Sequence, residues 1–229
     1  VRLLGPVSLV LTERRVAVVG ANGSGKSTLA RLLNGLVLPS SGRVLVDGLD
    51  TATDGPAVRR RVGFLLTDPG AQVVLPTPLE DVALSLRRHR LTAAARDARA
   101  REILARFGLA DRADTPVHAL SGGQRQLLAL AGVLAVEPEL LVCDEPTTLL
   151  DLRWRRHVDG LLASLPQRVV VVTHDLEAAS RADRVLVVDE GRVVFDGAAA
   201  EGVAYYRDVV CAAPLPGEGG GVPGARTGP

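Results

Sequence analysis

The stretch "GANGSGKST", residues 20–28, ends the apolar run "RVAVVG" at 15–20 and leads into the helical pattern "STLARLLNGL". Gly20, Gly25, Lys26 and Ser27 satisfy G-x-x-x-x-G-K-[ST] in the strand-then-helix setting that this motif requires. Glycines let backbone N–H groups turn inward around phosphate oxygens, and the helix N-terminus adds partial positive charge. Lys26 is the only lysine in the chain; all the others among its 27 Lys and Arg residues are arginine. A forked guanidinium cannot enter such a loop as a compact ammonium does, so a phosphate cradle explains why this position keeps lysine. Asn22, Gly23, Ser24 and Thr28 complete the candidate ATP contacts, and Ser27 is the residue expected to offer a hydroxyl to Mg²⁺.

A chain of 229 residues allows one large domain with a sizeable core. A formal net charge of +1 removes the strongest argument for a nucleic-acid binder, and no nucleic-acid partner is expected. Cys143 and Cys211 have no His/Cys spacing that suits a metal, and two thiols in an otherwise cysteine-free chain fit a reducing compartment. The longest apolar stretches, such as "LLALAGVLAV" at 127–136, fall short of the roughly 20 residues a bilayer span needs. The start has no signal-peptide pattern. With a mean hydropathy of +0.20 and 3% aromatics, the core must be Val, Leu and Ala, which suits a buried parallel sheet. There is no methionine, so Val1 reads as a GTG codon translated literally or as a point downstream of the true beginning.

Strand-like runs recur at 42–46, 61–66, 139–143, 168–173 and 184–189, several followed by helical patterns, which is α/β order. "VLVVDEGRVVFDG" predicts a hairpin turning at Glu190 and Gly191. From about 79 to 136 the pattern is helical, with Thr92 placed to cap one helix and Gly108 to end it. The expected organisation is one domain over 1–211, an α/β core with a helical lobe inserted at 79–136. The Pro/Gly-rich residues 212–229 read as a disordered tail.

The second chemical motif is "LLVCDEPTTLLD". Asp144 ends an apolar strand, where a carboxylate can hold Mg²⁺ directly or through water. Glu145 follows as a candidate general base for the attacking water. The third motif is "LSGGQ" at 120–124, leading into the helix "RQLLALAGVLA". With it the chain resembles the ATP-binding cassette (ABC) family, from about residue 7 to 197 and with the motifs in the family's order.

The resemblance implies a P-loop NTPase fold, a mostly parallel sheet with antiparallel β elements near the N-terminus, whose first strand is expected to be missing from this chain. It also implies a composite site, in which Ser121 and Gly123 of one subunit face the γ-phosphate held by another. Asp151 falls at the loop that contacts the partner, and His174 in "VVTHD" falls at the switch histidine that senses the γ-phosphate. His89, His118 and His157 have no such placement and are read as surface or packing residues.

Two positions depart from the family pattern. The usual glutamine after the strand "VGFLL" is replaced by Thr67, with Gln72 five residues on; either is a candidate for contact with nucleotide and Mg²⁺. The family's adenine-stacking aromatic, upstream of the phosphate loop, is also missing, because the first aromatic is Phe64.

"TDPGAQVVLPTPLEDVALSL" and "DEPTTLLDLR" are most similar to ATPases of energy-coupling-factor importers of vitamins and metals, the biotin type first and a cobalt or nickel importer next. The implied partners are a second ATPase subunit, a transmembrane coupling protein and a substrate-binding membrane subunit, and the implied place is the cytoplasmic face of the membrane. Arg87, Arg88, Arg90, Arg96, Arg99, Arg101 and Arg106 read as a solvated face before they read as a membrane-proximal one. A DNA-repair or chromosome ATPase would separate the phosphate loop from the signature by a coiled coil, and no heptad run lies between Gly20 and Leu120. A non-hydrolysing regulatory subunit is opposed by Lys26, Asp144, Glu145 and His174, all present.

Overall fold

The computed structural model describes residues 3–212. The tail expected at 212–229 lies outside the described residues from 213 onward.

In chain order the elements are β1 (Arg15–Val19), α1 (Lys26–Leu32), β2 (Leu45–Val46), β3 (Leu49–Asp50), α2 (Gly55–Arg61), β4 (Val62–Leu65), α3 (Pro78–Ser85), α4 (Ala93–Arg106) and α5 (Gly122–Leu134). They continue with β5 (Leu140–Asp144), α6 (Leu152–Ser164), β6 (Arg168–Val172), α7 (Leu176–Ala179), β7 (Arg184–Asp189), β8 (Arg192–Ala198) and α8 (Ala199–Tyr205). Strands β4-β5-β6-β1-β7-β8 form one six-stranded sheet. All pairings are parallel except the β7–β8 hairpin, which turns through Glu190 and Gly191 as expected, both at positive φ.

The valine runs specify this sheet because β-branched side chains suit a pleated surface and alternate residues can enter two different layers. Val16 and Val18 of β1 pack with Leu29 and Ala30 of α1 and with Val58 of α2. Ala17 and Val19 face the opposite way, with Val185, Val187 and Val203. On β5, Leu141 and Cys143 join Leu128 and Leu130 of α5, Leu104 of α4 and Val158 of α6 in a third cluster. All five residues of β5 are buried, as a central parallel strand requires.

Between β4 and β5 the described chain is helical or looped throughout. Thr77 starts α3 with a capping box to Glu80, and Thr92 caps α4 through the Ala95 amide. Arg99 pairs with Glu102 and Glu137, and Arg101 with Asp114, on the exposed face of this layer.

The antiparallel elements are smaller than the sequence suggests. The run at 42–46 yields only the two-residue strand β2, which pairs with β3 across Asp47 and Gly48, and no strand precedes β1 among the described residues. An isolated hairpin with no third strand has little to hold a longer ladder. Helix α2 was not evident in the sequence, and Arg61 closes it rather than opening β4.

Candidate functional site

The phosphate loop, Asp144 and His174 lie at or just beyond the carboxyl ends of neighbouring strands, β1, β5 and β6, which is where open α/β sheets bind ligands. Gly20 leaves β1 so close to β7 that an added Cβ would lie 2.0 Å from the Val188 carbonyl oxygen, and only glycine fits there. The loop turns at its exposed tip, Asn22–Gly23, and the Ser24 amide donates back to the Ala21 carbonyl. Gly25 stands at the start of α1, and Thr28 lies half-buried in the first turn.

Lys26 is buried, and its Nζ donates to the carbonyls of Gly20 (2.9 Å) and Ala21 (2.7 Å), so the ammonium lies over its own loop. Burial holds its pKa below the usual lysine value, against the opposing pull of the Glu145 and Asp144 carboxylates. The Ser24 hydroxyl is buried inside the loop without a hydrogen-bond partner. An orphaned hydroxyl there fits a phosphate oxygen as its missing partner.

Asp144 is 2% exposed at the end of β5. Its Oδ1 accepts from Ser27 Oγ at 2.8 Å, its Oδ2 lies 3.6 Å from an Arg31 guanidinium nitrogen, and its backbone carbonyl accepts from Thr67 Oγ1 at 2.8 Å. Ser27 and Arg31 are four residues apart on α1, so both reach the same carboxylate. Sequence reasoning missed Arg31, although that i,i+4 spacing was visible.

Glu145 takes φ 54°, a left-handed conformation that costs a non-glycine residue about 1–2 kcal/mol, and its amide is held by the Val172 carbonyl. Its Oε2 accepts from Thr148 Oγ1 at 2.9 Å and lies 2.8 Å from His174 Nδ1. An ionised carboxylate only accepts, so Nδ1 carries the hydrogen and Nε2 is left for another partner.

Ser27 and Asp144 form a hard-oxygen pair that suits Mg²⁺, which takes one or two protein oxygens and completes its shell with substrate phosphates and water. Among the described residues, no group of three or more His, Cys, Asp or Glu could hold a metal by itself.

Gln72, expected as a nucleotide or metal contact, is placed otherwise. Its Oε1 accepts from the Leu66 amide (3.0 Å) and its Nε2 donates to the Phe64 carbonyl (3.1 Å), so both ends of the amide stitch the strand-end backbone together. Thr67 is the member of the pair that reaches the Asp144 strand end.

Ser121 and Gly123 lie at the start of α5. The Ser121 hydroxyl accepts from the Gln124 amide, and the Gln124 side chain accepts from the Ser121 amide. Asp151 caps α6 by accepting from the Trp154 amide at 2.9 Å. Among the described residues, no hydrogen bond joins these three to the phosphate loop. His89, His118 and His157 are exposed.

Residues 5–148 match the family model for ABC transporters. The chain belongs to the ABC transporter family. Among its relatives, the biotin transport ATP-binding protein BioM of Rhizobium etli is 47% identical over 90% of this chain and 92% of its own length. The energy-coupling factor transporter ATP-binding protein EcfA1 of Halalkalibacterium halodurans is 41% identical over 81% of this chain and 68% of its own length. Among solved structures, the ATP-binding cassette MJ0796, a dimer in a post-hydrolysis state bound to ADP and Pi, superposes with a TM-score of 0.77 at 31% identity, covering 86% of this chain and 90% of that one.

This ABC ATPase is therefore an ATP hydrolase of the energy-coupling-factor type, with the cassette fold that the sequence implied. No described helix is long and apolar enough to cross a membrane.

Proposed function

We propose that this ABC ATPase drives a biotin importer as one of two cassettes bound beneath a transmembrane coupling protein, which in turn holds a substrate-binding membrane subunit. The identity to a biotin transport ATP-binding protein over nine-tenths of the chain supports the cargo. The observation that carries the mechanism is a division of the chemistry. Lys26, Ser27, Asp144, Glu145 and His174 gather at one end of the sheet, with Ser27 bonded to Asp144, Glu145 to His174 and Lys26 within electrostatic reach of both carboxylates, whereas among the described residues Ser121, Gly123 and Asp151 make no hydrogen bond to any of them. The signature groups act on nucleotide held by a second copy or a close relative. Exposed Leu149 and Leu152, beside Asp151, offer apolar surface for that contact.

On this reading ATP draws Lys26 Nζ from the Gly20 and Ala21 carbonyls to its β- and γ-phosphates, while the loop amides and Ser24 hold the phosphate oxygens. Ser27 and Asp144 hold Mg²⁺, which when bound neutralises charge developing between the phosphates. Glu145 orients and deprotonates the attacking water, and His174 turns its ring N–H from Glu145 to the γ-phosphate, whose oxygens only accept. Closure of the two cassettes completes the site, and phosphate release reopens it. Thr67 ties the chain after β4 to Asp144, which makes it the better candidate for the place of the usual glutamine beside nucleotide and Mg²⁺. A groove of about 310 Å³ lined by Phe64, Gln72, Asp81, Arg88 and Val133 is where we place the membrane partner, against the helical layer at 79–136 on the cytoplasmic side.

The test is ATPase rate per subunit against protein concentration, with the Glu145→Gln variant followed for ATP-induced dimers. A rate that rises with concentration, and trapped dimers, is the expected result. A constant rate with monomers throughout contradicts the composite site. Uptake of labelled biotin against cobalt and nickel, in cells expressing the chain with its membrane partners, decides the cargo.

A further inference from the structure

The signature turn and the Asp151 loop are adjacent within this one chain, and the Trp154 side chain joins them. Trp154, the only tryptophan, sits in the first turn of α6, where its amide donates to the capping Asp151 carboxylate at 2.9 Å. Its indole lies directly on Gly123 in the first turn of α5. A Cβ added at Gly123 would lie 2.0 Å from Trp154 Cδ2 and 2.4 Å from Cε2 and Cγ. His157 holds the ring edge-to-face, with centroids 6.0 Å apart at 82°. The inner part of the ring packs on the buried cluster that includes Leu128 and Val158.

Each of the two loops is already fixed to its own helix, Ser121 by the capping box of α5 and Asp151 by the cap of α6. The indole on Gly123 ties one first turn to the other through close side-chain packing. A rigid aromatic with two rotatable bonds does this at low entropic cost, whereas two separately capped loops can drift apart.

We propose that Trp154 is a positioning residue that locks the signature turn to the Asp151 loop, so that Ser121, Gly123 and Asp151 approach the opposite subunit's nucleotide as one rigid body. The inference rests on the composite-site reading. Its consequence is kinetic: a misplacement near 1 Å at groups that meet a transition state can cost up to about a hundredfold in rate. Nucleotide binding to the phosphate loop of a free subunit, which these groups do not touch, is left intact.

The test uses the full chain with three measurements on Trp154→Ala and Trp154→Phe: steady-state ATPase, binding of a fluorescent ATP analogue to dilute subunits, and ATP-trapped dimers in the Glu145→Gln background. The expected result for Trp154→Ala is a fall in kcat of about tenfold or more and fewer trapped dimers, with analogue affinity near the parent's even though the lost packing lowers the melting temperature. Trp154→Phe, which keeps an aromatic face on Gly123, should recover most of both. Trp154→Ala with parental kcat and parental dimers overturns the inference. Loss of analogue binding in step with kcat also overturns it, since that marks an ordinary core residue. If the Glu145→Gln parent itself forms no dimers with ATP, it is the composite-site reading that fails, and this inference goes with it.

Discussion

The nucleotide half and the signature half of this ABC ATPase are built on opposite principles. Around Lys26, the polar groups are bonded to one another: Ser27 to Asp144, Thr67 to the Asp144 carbonyl, Glu145 to His174 and Thr148. Around Ser121 and Asp151, among the described residues, they are bonded only to their own helix starts, and both residues are exposed. The first half is a set of preformed bonds gathered around the place for phosphate. The second has its backbone set and its polar side chains turned outward, as expected of a surface completed by another subunit.

The largest expected effect is at Glu145. Glu145→Gln removes the general base and the ionised acceptor for His174, and should lower kcat by about 10²–10⁴ while leaving ATP bound; unchanged turnover would remove Glu145 from the mechanism. Next comes Lys26→Ala, which should reduce both ATP binding and turnover, by about 10²–10³ in kcat/KM. Comparing it with Lys26→Arg checks whether shape as well as charge matters, since arginine serves everywhere else in the chain.

Thr67 and Gln72 break the tie that the sequence left. Thr67→Val leaves the Asp144 carbonyl without its donor and should slow ATPase by about tenfold, as expected for about 1–2 kcal/mol lost at a buried hydrogen bond. Gln72→Ala loosens the end of β4 and should show mainly in thermal melting. If only Gln72→Ala slows hydrolysis, the two residues exchange roles.

Ser121 sharpens the comparison itself. Ser121→Ala should destabilise by about 0.5–2 kcal/mol through the lost cap, whereas Ser121→Gly should cost a few tenths, because glycine is a tolerated cap. If both lose activity equally, the hydroxyl acts on nucleotide as well as on its own helix; if Ser121→Gly is fully active, the residue is a cap alone. The smallest effect is at the thiols. Burial, with the adjacent Asp144 carboxylate, pushes the Cys143 thiol up, whereas Cys211 is exposed. Iodoacetamide at mildly alkaline pH should therefore label one site per native chain and two per unfolded chain, with ATPase retained.

Short-range chemistry was enough for much of this molecule. Short continuous Val and Leu runs, the glycine-lysine loop, the Asp-Glu strand end and the turn at Glu190–Gly191 are legible because each depends on residues adjacent in the chain. The signature motif was legible only as a resemblance, since nothing local about "LSGGQ" says that it faces another subunit. What the folded chain alone decided were approaches between distant segments: Arg31 and Thr67 converging on Asp144, Gln72 turned into the backbone of β4, and Trp154 laid on Gly123. Periodicity determines which face a side chain takes. It does not determine which segment will be packed against that face, because that follows from sheet order and close packing across the whole core.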